Sequence, residues 1–119
     1  MTPAGPIVAG AEYVASVMVL YVELPHTPLR VSLQDHAMAR RWYERGIPLR
    51  IVEMALLLGS LRRLIRPLGL PPLSPIRSLA YFQPVLDEIL DQPAPPDSYL
   101  DYLRFKMRQF ADQPTKVQK

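Results

Sequence analysis

Apolar positions recur along this chain at helical spacing, and prolines cut the pattern into blocks. In the first block, about Val8 to Leu24, Tyr13, Val17, Leu20, Tyr21 and Leu24 share a stripe until Pro25 stops the run. The valines at 14, 17, 19 and 22 also suit a strand, so periodicity leaves both forms open there. Residues 25–31 form a proline-stiffened loop. Ser32 then stands at an N-cap position with Asp35 three residues on, and Gly46 closes a second helix. Leu33, Met38, Trp42 and Tyr43 read as its buried stripe; Asp35, Arg40, Arg41, Glu44 and Arg45 read as its wet side.

Pro48 is placed to open a third helix, Leu49 to about Arg66. Only Arg50, Glu53, Ser60, Arg62 and Arg63 are left for solvent there, with Leu58 and Leu61 inside. A helix apolar over most of its circumference is central, with neighbours on several sides. The linker 67–74 is rigid but apolar and should pack along the surface. Ser74-Pro75 reads as the start of a fourth helix, which Pro84 should kink or split. After Pro93–Asp97 comes a last amphipathic helix, Asp97 to about Phe110, with Tyr99, Leu103, Met107 and Phe110 in one stripe. The pattern predicts an all-α fold: a compact bundle of about five helices around helix 49–66, with proline-rich connections. It forms a single domain over 1–110 with a flexible polar tail at 111–119.

Composition narrows the picture. With 119 residues there is room for one core. Fourteen prolines against five glycines argue against a long coiled coil or a large sheet. The absence of cysteine excludes disulfides, thiol catalysis and cysteine-based metal sites. His26 and His36 stand ten residues apart with no ligand at metal spacing, and neither a Gly-x-Ser-x-Gly elbow nor a phosphate loop occurs. Asp87, Glu88 and Asp91 read as solvated carboxylates. The sequence therefore predicts no enzyme, no metal and no cofactor. The N-terminus lacks the basic region of an export signal, and stretch 7–24 carries Glu12 and Glu23, so a cytoplasmic protein with no membrane partner is expected.

Charge is uneven. Residues 28–77 hold nine arginines and no lysine against three carboxylates, a net +6. The planar guanidinium fork suits phosphate or carboxylate. Arg41 and Arg45 are one turn apart on the second helix, with Arg40 beside them. Arg62 and Arg66 are one turn apart on the third, with Arg63 between, and Arg50 and Arg77 stand near other turns. If the helices run antiparallel, this set could follow a phosphate backbone without reading bases. The competing reading is equally concrete: arginines in the last turn of a helix complement its dipole. Trp42-Tyr43 among arginines could stack on unpaired bases, but a lone tryptophan at helical spacing is more often a core anchor. Tyr99, Tyr102 and Phe105, interleaved with Arg104, Lys106 and Arg108, could clamp a nucleic acid or a partner helix, or dock on their own core.

The run Arg41-Trp-Tyr-Glu-Arg-Gly-Ile-Pro-Leu-Arg-Ile-Val-Glu-Met-Ala55 resembles the W-x-x-x-G-[IF]-x-x-x-[LIV]-[LIV]-x-x-A stretch of DnaD-like replication domains. Ser78-Leu-Ala-Tyr81, with Val85 and Ile89-Leu90, is similar to their later L-x-Y-[IF]-x-x-[IV]-L helix. The likeness covers about residues 39–90, and this chain departs from it at the proline-rich insert 67–75 and at Pro84. It implies an all-α domain that binds DNA and other replication proteins. The first functional expectation is thus a small non-enzymatic nucleic-acid-binding accessory protein, serving replication or a mobile element. Arg40, Arg41, Arg45, Arg50, Arg62, Arg63, Arg66 and Arg77 would contact the phosphates of duplex or single-stranded DNA. The alternative is a protein–protein adaptor or self-associating module, with a homodimer completed by the first-helix valines and the apolar linker.

Overall fold

The computed structural model describes residues 9–67 and 69–111. Five α-helices and one 3₁₀ turn account for the regular structure, with no strand among the described residues. They are α1 (Gly10–Val22), α2 (Leu33–Glu44), α3 (Leu49–Leu64), the turn Leu79–Phe82, α4 (Gln83–Leu90) and α5 (Asp97–Ala111). The all-α bundle around the third helix is the observed architecture: α3 touches α1, α4, α5 and the 3₁₀ turn, whereas α2 packs on α1 and that turn. The expected start at Val8 and residues 112–119 of the expected tail 111–119 lie outside the described residues, whereas Ala111 belongs to α5.

The strand alternative for α1 gives way to a helix because its inner side is a continuous stripe. Tyr13, Val14, Val17, Met18 and Tyr21 are all buried in the common core. Tyr13 also donates its hydroxyl to Ile47 O at 2.8 Å, pinning α1 to the α2–α3 link. That link turns at Gly46, whose φ of +76° belongs to the left-handed region that glycine enters without penalty.

In α2 the stripe is rotated from the expected one. Leu33 is 85% exposed, whereas Asp35 is 2% exposed. The cause is hydrogen bonding. Ser32 and Asp35 form a reciprocal capping box, with Asp35 N donating to Ser32 Oγ at 3.1 Å and Ser32 N to Asp35 Oδ2 at 3.0 Å. The second carboxylate oxygen accepts Leu79 N–H at 2.9 Å, so one buried side chain serves the starts of two helical elements. Ala39 and Trp42 complete the inner side; Trp42 is a core anchor, with its Nε1 donating to Gln83 Oε1 at 2.9 Å.

Helix α3 is buried on most sides, and two of its expected positions move. Ser60 lies inside, its hydroxyl without a partner, and Leu58 is only partly buried beside α5. Gly59 lets the 3₁₀ turn approach: a Cβ there would stand 2.7 Å from Phe82 Cδ1. Ser74-Pro75 does not start a helix. Residues 71–77 form no helix; Ile76 N donates to His26 O at 2.9 Å, and the actual cap is Ser78, whose hydroxyl accepts from Ala80 N. Pro84 therefore falls in the first turn of α4, where its missing N–H is harmless, and the predicted split occurs there. Arg104 ties α5 to α3 through a bidentate pair with Glu53, at 2.8 and 2.9 Å. That hydrogen-bonded carboxylate holds the guanidinium above its ordinary pKa.

Candidate functional site

The eight arginines do not form one surface. Four are occupied by their own chain. Arg50 NH1 reaches Pro95 O at 3.3 Å and Asp97 Oδ1 at 3.4 Å, holding the approach to α5. Arg62 pairs with Glu88 of α4 at 2.8 Å. Arg63 lies over the Tyr81 ring, 5.3 Å from its centroid, and donates to Ser74 O at 2.8 Å. Arg66 donates to Pro71 O at 2.7 Å. The last two clamp the proline linker along the surface, as its apolar composition predicted. The place of Arg62 and Arg63 in the last turn of α3 also complements the helix dipole.

The remaining four point elsewhere. Arg40 sits 5.9 Å from the Tyr43 centroid and close over Gly10, whose lack of a side chain leaves it room. The side chains of Arg41, Arg45 and Arg77 are exposed and have no hydrogen bond or ion pair among the described residues. Arg40, Arg41 and Arg45 cluster at the C-terminal end of α2 with Glu44 among them, and Arg77 stands apart beside the α1–α2 loop. Residue type and spacing gave these eight one role; the partners that divide them come from distant segments, which charge counting cannot see.

A second surface is apolar. Tyr99 and Tyr102 of α5 stack with ring centroids 6.5 Å apart and planes 19° from parallel. On one side they line an open cleft of about 540 Å³ with Gln92, Pro95, Pro96 and Glu88. On the other they line a smaller hollow of about 290 Å³ with Leu58, Ile65 and Lys106. The two make one furrow along α5, bounded by α4 and the end of α3. Tyr102 and Phe105 are exposed, as are Ile65 and Leu90, so the aromatic side of α5 is only partly docked on the core. The sequence did mark these aromatic residues, but amphipathic spacing does not distinguish a ring against the core from one beside it.

The groups reviewed for catalysis remain dispersed. His26 is a turn residue with φ of +67°, His36 is exposed on α2, and Asp87 accepts from Gln83 Nε2 at 2.9 Å. Among the described residues no three histidine or carboxylate side chains gather as metal ligands, and no helix is long and apolar enough to cross a membrane. Of the positions compared with DnaD-like domains, Trp42, Ile47, Ala55, Leu79 and Ile89 are buried and Gly46 makes the turn, whereas Tyr81 and Leu90 are exposed. No family model, curated protein or solved structure matches the chain.

Proposed function

We propose that this chain is a non-enzymatic helical interaction module that works in the cytoplasm and binds a protein partner through the furrow of α3, α4 and α5. The exposed apolar side chains carry the reading: Tyr102 lines both hollows and Ile65 the smaller one, with Phe105 exposed on the same helix as the tyrosines. Contiguous apolar surface rimmed by polar groups is the mark of a binding site, and tyrosine supplies contact area at small entropic cost. An apolar dye such as anilinonaphthalene sulfonate should bind the native chain, and Tyr102→Glu with Phe105→Glu should abolish that binding at unchanged melting temperature. A native chain that leaves the dye unbound removes this reading.

A second reading, phosphate binding in replication or mobile-element DNA handling, is favoured by the unpaired Arg41 and Arg45 beside Arg40. It contracts the contact set from eight residues to those three. Anisotropy titrations with duplex and single-stranded DNA at two salt concentrations test it. Binding that weakens with salt and is lost in Arg41→Glu/Arg45→Glu supports it; no binding at low salt eliminates it.

A further inference from the structure

The segment after α3 has the form of a ligand. Prolines 71, 72 and 75 each fix their own φ and push the preceding residue to an extended conformation. Between Leu70 and Pro75 this leaves only Leu73 unconstrained, so sterics favour a left-handed polyproline helix with three residues per turn. The contacts show the same period. Pro71 O and Ser74 O, three residues apart, both turn to α3 and accept from Arg66 and Arg63. Ile76 is buried, whereas Leu73, three residues before it, is exposed. Pro71, Pro72, Ser74, Pro75 and Arg77 are exposed. The carbonyls of Pro71 and Ser74 are held by the fold, and the exposed residues include Pro72-x-x-Pro75-x-Arg77, a spacing read by aromatic grooves, although Pro72 and Pro75 also line a hollow beside Arg63 and Arg66.

A groove of matching chemistry lies on the same chain. Tyr99 and Tyr102 line the larger cleft, and the exposed Asp91 adjoins its lining residue Gln92, whereas Glu88 and Asp97 are already paired with Arg62 and Arg50. Segment 71–77 carries one charge, that of the unpaired Arg77. We propose that a second copy of this chain occupies the cleft: segment 71–77 of one copy lies across Tyr99 and Tyr102 of the other, with Arg77 directed to Asp91. Both surfaces flank the end of α3, the segment through Arg63 and Arg66, the furrow through Arg62 and Ile65. A two-fold axis near that end lets each copy give its segment and receive its partner's. The proposal rests on the interaction-module reading and names the partner.

Sedimentation velocity over a wide concentration range tests it. The wild-type chain should dimerise, and Tyr102→Ala or Arg77→Glu should each weaken the dimer by about tenfold or more, as loss of a central aromatic or arginine contact does. Both residues are exposed, so melting temperatures should stay near wild type. A wild-type chain that stays monomeric, or a dimer indifferent to both substitutions, overturns the proposal. A monomer whose furrow still binds the apolar dye removes the homotypic partner and leaves the interaction-module reading standing.

Discussion

Asp35 holds more together than any other single polar side chain here. Its carboxylate caps α2 and accepts the Leu79 amide from 44 positions away. Asp35→Ala removes the cap and leaves a buried N–H unpaired, so it should destabilise the fold by about 2–4 kcal/mol in denaturant unfolding. Ser60 is the opposite case. Its buried hydroxyl has no partner, so Ser60→Ala should leave stability unchanged or raise it by about 0.5–1 kcal/mol. Its neighbour Gly59 does not tolerate the same change. A methyl group there meets the fully buried Phe82 ring, whose confinement prevents retreat. Gly59→Ala should cost about 1–3 kcal/mol from overpacking, more than the roughly 1 kcal/mol that alanine contributes to helix propensity.

At the scale of elements, the helix boundaries were legible because local chemistry sets them: Ser32 with Asp35, Gly46, Pro25 and Pro48 act on their own neighbours. Orientation was less legible. A helix presents whichever side its neighbours cover, and α2 packs mainly on α1 and the 3₁₀ turn. Leu33 therefore stays in water while the carboxylate that caps both starts goes inside. Ser74-Pro75 misled for a related reason, since the long-range bond from Ile76 N to His26 O engages an amide that a helix starting there would use. The arginine set was legible as charge but not as function. Arg62 and Arg63 brace α4 and the proline linker, so reversing both to glutamate should lower the melting temperature. Losing an exposed ion pair, one linker bond and two dipole contacts amounts to about 1–3 kcal/mol. A double variant that melts like wild type yet loses DNA affinity would assign these residues to the phosphate surface instead.

The whole molecule should show an alkaline limit. Burial pushes the Tyr13 hydroxyl up to about 12, and burial together with the nearby Asp35 carboxylate pushes Tyr21 up to about 12. Both are neutral in folded and unfolded chains below the ordinary value of 10.0, so stability is fully present there. Between pH 10 and 12 the unfolded chain ionises first, and folding weakens by about 2–3 kcal/mol per tyrosine. Melting curves should fall over that interval, with tyrosinate absorbance delayed until unfolding. Tyr21 has no hydrogen-bond partner to lose, so Tyr21→Phe should flatten the fall while changing neutral-pH stability little.

The double service of Asp35 also has a kinetic consequence. Because one carboxylate anchors the beginnings of α2 and of the 3₁₀ turn leading into α4, neither can open without disturbing the other. The Leu79 amide precedes any helical bond of its own turn and would exchange with solvent quickly in an isolated segment. Held on Asp35, it should exchange only through the global opening that also releases the α3 core amides. In Asp35→Ala its protection should collapse while those of α3 keep the exchange rate set by the variant's remaining stability.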